Sequence, residues 1–320
     1  ISATASGLRL GTTNYTGGIN NCVIDLNGHT LTYNTGGTDN QDGINCGASY
    51  NILIHGPGSI IQSTNCIAAL TDDNEGSAIQ GRGKFEVANL NIVVVAKGTR
   101  NIGFRHAVGY VPAVVGGRVH DCFLWNKQGY YPMSYYPSGS YLPPGHNILI
   151  QGVPNVEVYN NIVIGAHIGI GTEGLQLATD TPWDAYTKIH HNKIFATQRI
   201  LGYKSPAGIE IYAAKYSEVY ENQICTLDAR GIIVQMSPLS TEVSHNNVDA
   251  RYIRDYQSAE DLGYTILYED NAVYGQWIRF GTSPLATGYR DHDNIYISNN
   301  WITGSKGQEA YGMALTTGVS

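Results

Sequence analysis

The chain has 320 residues, of which 42% are hydrophobic and only 14% charged, with 38 Gly and 23 Tyr. It holds enough apolar residues for a continuous core, so it is not disordered, and a formal charge of −7 argues against nucleic acid or an anionic membrane surface as partner. No apolar run approaches the ~18 residues that would cross a bilayer, so no membrane span is expected.

In chain order, the first strand-like segments are Val23-Ile24-Asp25-Leu26-Asn27-Gly28-His29-Thr30-Leu31 and Asn51-Ile52-Leu53-Ile54-His55-Gly56-Pro57-Gly58-Ser59-Ile60. Looser copies of a shared corner follow at Val87-Ala88-Asn89-Leu90-Asn91-Ile92 and Val119-His120-Asp121-Cys122-Phe123-Leu124. From there one hexad recurs: Val158-Tyr159-Asn160-Asn161-Ile162-Val163, then Ile189 to Ile194, Val219 to Ile224, Val243 to Val248 and Ile297 to Ile302. Its form is apolar, two variable residues, Asn, one variable residue, apolar, and the fixed Asn positions lie 31, 30, 24 and 54 residues apart, the last being two turns of 27. An apolar strand end, a bend holding Asn and an apolar strand start describe a sharp corner. Asn tolerates the left-handed backbone region, and stacked copies can bond one another in a ladder.

A second motif, Gly-Ile-x-apolar, reads as another strand of each coil: Gly43-Ile44-Asn45-Cys46, Gly208-Ile209-Glu210-Ile211 and Gly231-Ile232-Ile233-Val234. No segment sustains a 3.6-residue apolar period, so helices are not expected. A period of about 24–31 residues with a fixed Asn predicts an all-β chain folded as a single right-handed parallel β-helix over residues 1–320, and an antiparallel sandwich explains neither feature.

With those segments read, the chain resembles the pectin-lyase-like superfamily over nearly its whole length. The resemblance implies the fold, and its members include polysaccharide lyases, hydrolases and epimerases, tailspikes and non-catalytic surface proteins, so function has to be read from the site. Of the polygalacturonase motifs only Asp72-Asp73 has a counterpart; the Arg-x-Pro-x-x-Arg of calcium-dependent pectate lyases is absent; and Arg290-Asp291-His292-Asp293 resembles the Asp-Pro-His-Asp of mannuronan epimerases without its Pro. No cofactor is therefore called for, and calcium has no motif to hold it.

Two insertions interrupt the coils. The first, Asn126 to His146, carries Tyr130, Tyr131, Tyr135, Tyr136 and Tyr141 among Pro132, Pro137, Pro143 and Pro144. Tyr rings offer flat apolar faces with hydroxyl rims, which suit a sugar ring and equally suit a protein surface. The second, Thr179 to Tyr186, sets Trp183 between Asp180 and Asp184. Tyr130, Tyr131, Tyr135, Tyr136 and Trp183 are accordingly the candidate substrate-binding residues.

Catalytic candidates lie on the outward positions of the Gly-Ile strand, in a row from Arg105 through Gln151, Glu173 or Gln176, Glu210 and Gln235. Hydrolysis needs two carboxylates, for which Glu173 and Glu210 are the best pair. β-Elimination needs a charge neutraliser, a base and an acid, for which Arg105, His106, Lys204, Tyr212 and Lys215 have the chemistry. His191, Glu221 and His245 fall at equivalent corner positions, where packing and solvation explain them better than a metal. Cys22, Cys46 and Cys66 are spaced by 24 and 20 residues, about one coil, which predicts a disulfide between two of them.

At the ends, Ile1 to Ser6 is too short for a capping helix, and Gly312 to Ser320 reads as a coil just beginning. With neither an initiator Met nor a signal peptide, the chain reads as processed or cut from something longer. The expectation is an extracellular or cell-surface β-helix that engages a polysaccharide or other glycan, as a lyase or hydrolase. The alternative is a structural protein joined head to tail into a filament.

Overall fold

The computed structural model describes residues 7–10, 18–35, 42–47, 49–64, 76–81, 83–95, 100–105, 116–127, 146–173, 186–195, 207–212, 214, 216–226, 230–235, 241–249, 252–256, 266–269, 272–275, 277–280, 295–298, 300–304 and 313–315. Over them the chain is all strand and turn, wound as a parallel β-helix. Three sheets of 11, 10 and 10 strands run along it, and every strand pairs in parallel with the strand three places on in sequence. The first sheet begins at Leu8–Arg9, the second at Asn20–Asp25 and the third at Thr30–Tyr33, so one strand of each makes one coil.

The inward face of each sheet is a stack of like residues. In the first, Ile44, Ile79, Ile102, Ile148, Ile170, Ile209 and Ile232 follow one another rung by rung. In the third, Ile60, Ile92, Leu124, Val163, Ile194, Ile224 and Val248 do the same. All are buried in one core cluster that reaches from Leu10 to Val248. β-Branched residues suit such stacks because their stiff χ1 fits a pleated surface.

The recurring hexad forms the corner between the second and third sheets. The Nδ2 of Asn161 donates to the Oδ1 of Asn192 at 2.9 Å, Asn192 to Asn222 at 3.0 Å, and Asn222 to Asn246 at 3.0 Å. Each Oδ1 also accepts the backbone N–H of the Asn one coil before it, at 3.0–3.1 Å. Asn300 directly precedes Trp301, which pairs with Ala272, itself paired with Asn247, so Asn300 stands at the same corner and the 54-residue gap holds one further coil. The left-handed conformation belongs to another residue than expected. It falls on the residue before the ladder Asn, namely Asn160, His191, Glu221 and His245, with φ between 53° and 55°. The ladder Asn is thereby left free to turn its amide inward against its neighbours.

The Gly of the Gly-Ile motif sits at the corner leading into the first sheet, where there is no room for a side chain. A Cβ on Gly208 would lie 2.5 Å from Ile224 Cγ2 and 2.8 Å from the Gly231 carbonyl oxygen. The predicted disulfide does not form: Cys22, in the second sheet, and Cys46, in the first, are both free thiols, as is Cys122, and Cys66 lies outside the described residues. Coil spacing brings residues together only when they occupy the same sheet, and these two do not.

Candidate functional site

The three sheets differ on their outer faces. Outward residues of the second and third sheets are mostly exposed or half-buried, as Arg118, Trp125 and Lys193 show. In the first sheet the outward residues Asn45, Gln80, Leu149, Glu210 and Ile233 are buried as well. A polar row shielded from water on a sheet face is costly unless its groups are used or bonded, and this marks the face as the candidate site.

Register resolves the row into columns. Arg105 pairs with Gln151, Gln151 with Glu173, Glu173 with Tyr212, Tyr212 with Gln235 and Gln235 with Tyr256. Glu210 is not in that column, which corrects the row drawn from sequence; Tyr212 takes its place. Glu210 stands two residues earlier, in the adjacent outward column of Gln80, Gly103, Leu149, Gly171, Glu210 and Ile233. Glu173 and Glu210 are therefore diagonal neighbours, offset by one rung and two residues. At a strand spacing of 4.7–4.9 Å and a rise of about 3.3 Å per residue, their Cα atoms lie about 8 Å apart.

His146 completes the cluster. A Cβ on Gly171 would fall 2.6 Å from its Cδ2 and 2.8 Å from its Nε2, so the imidazole fills the space a side chain at 171 would take. Glu210 is the register partner of Gly171 on the next rung, and both His146 and Glu210 are buried. His146 was not among the sequence candidates. A signal for this face was nonetheless present: Ile148-Leu149-Ile150 and Ile232-Ile233-Val234 are unbroken apolar runs, the mark of a strand buried on both sides. Tyr130, Tyr131, Tyr135, Tyr136, Trp183, His106, Gln176, Lys204 and Lys215 lie outside the described residues.

The outer face of the second sheet carries another ordered array. His120, Tyr159, His190 and Tyr220 occupy one column, with ring centroids 4.8, 5.2 and 4.7 Å apart and planes within 3°. Beside it runs a charged column, Glu86, Arg118, Glu157, Lys188 and Glu218. The Nε2 of His120 meets Glu86 and that of His190 meets Glu157, both at 3.2 Å, while Arg118 pairs with Glu157 at 3.3 Å and Lys188 with Glu218 at 2.9 Å. Burial of the phenols, against the opposing pull of Arg118 or Lys188, raises the pKa of Tyr159 and Tyr220. The hydrogen bond that Lys188 donates to Glu218 raises the lysine's own pKa. At the corner, His191 Nε2 lies 2.8 Å from Glu221 and its Nδ1 2.8 Å from the Nδ1 of His190. Among the described residues no cluster of three or more His, Cys, Asp or Glu could hold a metal ion.

Three parallel sheets wound coil by coil, with an asparagine ladder at one corner, define a parallel β-helix. No family model matches the sequence, and no curated protein matches it. Among solved structures, the chain is similar to the periplasmic alginate epimerase AlgG, with 11% identity and a TM-score of 0.44 over 93% of this chain and 78% of that one. It is similar also to a family 28 exopolygalacturonase from Yersinia enterocolitica, with 8% identity and a TM-score of 0.36 over 93% and 73%. A third is the A-module of the mannuronan C-5 epimerase AlgE4 from Azotobacter vinelandii, with 9% identity and a TM-score of 0.29 over 92% and 91%. At this level of likeness only the solenoid is shared.

Proposed function

We propose that this protein engages a polysaccharide along the outer face of the first sheet, outside the cytoplasm, and cleaves it by hydrolysis. One observation carries this reading: the register sets Glu173 and Glu210 one rung and two residues apart on that face, with the His146 ring over Gly171, the register partner of Glu210. An inverting hydrolase needs its two carboxyl groups roughly 6.5–9.5 Å apart, to leave room for a water between one of them and the anomeric carbon, and Cα atoms about 8 Å apart are compatible with that separation. In this reading Glu210, shielded from bulk water, protonates the leaving oxygen, and Glu173 activates the water. Arg105 and Gln151 hold substrate hydroxyls or a uronate carboxylate along the column. Carbohydrate binding by Tyr130, Tyr131, Tyr135, Tyr136 and Trp183 is part of the same proposal, since the segments that hold them join strands of this sheet to their neighbours.

The test is a screen of uronate and neutral polysaccharides, read both by new reducing ends and by absorbance of unsaturated products. Hydrolysis gives reducing ends without that absorbance. Glu210→Gln and Glu173→Gln should each abolish turnover while leaving the thermal midpoint within a few degrees. Unsaturated products would replace hydrolysis by elimination, and turnover that survives both substitutions would refute the assignment.

A further inference from the structure

A groove of about 620 Å³ runs along the edge of the second sheet, on a different face from the proposed catalytic cluster, with Lys84, Arg118, Asn155, Glu157, Tyr186 and Lys188 in its lining. Its rim is the corner leading from the first sheet to the second. There the register aligns Asn21, Asn51, Lys84, Gly116, Asn155, Tyr186 and Tyr216 in one column. The backbone is left-handed at six of these seven positions: φ is 56° and 57° at Asn21 and Asn51, 133° at Gly116, 57° at Asn155, and 60° and 54° at Tyr186 and Tyr216.

Asn and Gly accept that conformation readily, whereas a bulky side chain there is an outlier. Strained positions that persist in a fold gather at ligand sites. Both Tyr side chains point to solvent, with 56% and 40% of their surface exposed, and their rings stack at 5.1 Å and 12°. The corner itself does not call for rings, since the earlier coils build it from Asn, Lys and Gly. What they provide is a flat, two-ring surface at one end of the groove.

Lys84 stands three rungs away at the other end, about 14 Å along the axis at 4.7–4.9 Å per rung. It is exposed and makes no ion pair among the described residues, while Arg118 and Lys188 are held by Glu157 and Glu218. Along the groove the half-buried Leu53 lies among amides, cations, carboxylates and a phenol, the mixed lining that suits a sugar ring with its polar substituents.

From this arrangement we infer a second glycan-binding site, non-catalytic, that takes an anionic oligosaccharide. One sugar ring stacks on the Tyr186–Tyr216 surface, the chain runs past Gly116, where no side chain intrudes, and an acidic substituent reaches Lys84. The inference is independent of hydrolysis at the first sheet.

Hydroxyl-radical footprinting with hexameric oligogalacturonate, hexameric oligomannuronate and neutral cellohexaose reads the site directly. Labelling of Tyr186 and Tyr216 should fall several-fold with at least one acidic hexamer and stay unchanged with cellohexaose. Glu210→Gln should leave that protection intact, whereas Lys84→Gln should remove most of it and its dependence on salt. Titration calorimetry of the Tyr186→Asn/Tyr216→Asn double variant, which keeps side chains suited to the left-handed corner, should show affinity at this site reduced about tenfold or more with no loss of thermal midpoint. Unchanged labelling with both acidic hexamers, equal protection by cellohexaose, or protection lost in Glu210→Gln but kept in Lys84→Gln would overturn the inference.

Discussion

Replacing Asn222 by Leu probes the corner ladder where its bonding is fullest. The Asn222 Oδ1 accepts the backbone N–H of Asn192 at 3.1 Å and its Nδ2 at 3.0 Å. The Asn222 Nδ2 lies within 2.9–3.0 Å of the Ile189 and Tyr220 carbonyls and of Asn246 Oδ1. Leu has the branching of Asn but bulkier methyl ends, so no cavity forms and crowding at this buried corner adds to the polar loss. Most of the partners have alternatives. Asn192 Nδ2 keeps the Val158 and His190 carbonyls, and Asn246 Oδ1 keeps the backbone N–H of residue 222. The Asn192 N–H does not, and a buried donor without a partner costs about 1–3 kcal/mol. Urea unfolding followed by far-UV circular dichroism should therefore show a lower midpoint at unchanged slope. Hydrogen exchange at the Asn192 amide should accelerate. Gln223→Ala, on the exposed neighbour, should stay within about 0.5 kcal/mol of the parent. An unchanged midpoint together with unchanged exchange at Asn192 would refute the ladder as a source of stability.

Gly208→Ala forces a Cβ to 2.5 Å from Ile224 Cγ2 and 2.8 Å from the Gly231 oxygen, and should lower stability by about 1–3 kcal/mol in the same urea assay. Glu221→Asn relieves a left-handed Glu at φ 53° at the expense of an exposed pair with His191, and should raise the midpoint by the equivalent of about 0.5–1 kcal/mol. Burial pushes the Cys122 thiol from its ordinary 9.0 up to about 12 and raises that of Cys46 still further, so iodoacetamide at pH 8 should spare both in the native protein and label them after unfolding. Because the folded pKa of Cys122 lies above the unfolded one, the stability it contributes is complete below pH 9 and is lost as pH rises toward 12. Tyr159 and Tyr220, also raised, act in the same direction above pH 10. Cys122→Ala should flatten the alkaline limb of a plot of thermal midpoint against pH, and an unaltered limb would contradict this.

Much of the fold could be read from local pattern alone. The Asn at 161, 192, 222, 246 and 300 recur because a corner that stacks coil on coil demands the same bonding at every level. The Gly at 43 and 208 recur because the next corner leaves no space for a Cβ. Strand alternation likewise told which residues of the Gly-Ile strand point outward. It could not tell which of two outward residues shares a column with Glu173, because inserted segments of unequal length separate the strands and only hydrogen-bond register fixes the offset. For that reason Tyr212, not Glu210, proved to be the partner of Glu173. The place of His146 was decided in the same way, by a vacancy over Gly171 on a strand that follows it in sequence. Coil spacing also gives distance along the axis but not the sheet a residue occupies, so Cys22 and Cys46 looked adjacent and are not bonded. Periodicity records what each coil must repeat; a site is built from residues that differ between coils, and their mutual placement is set by tertiary register.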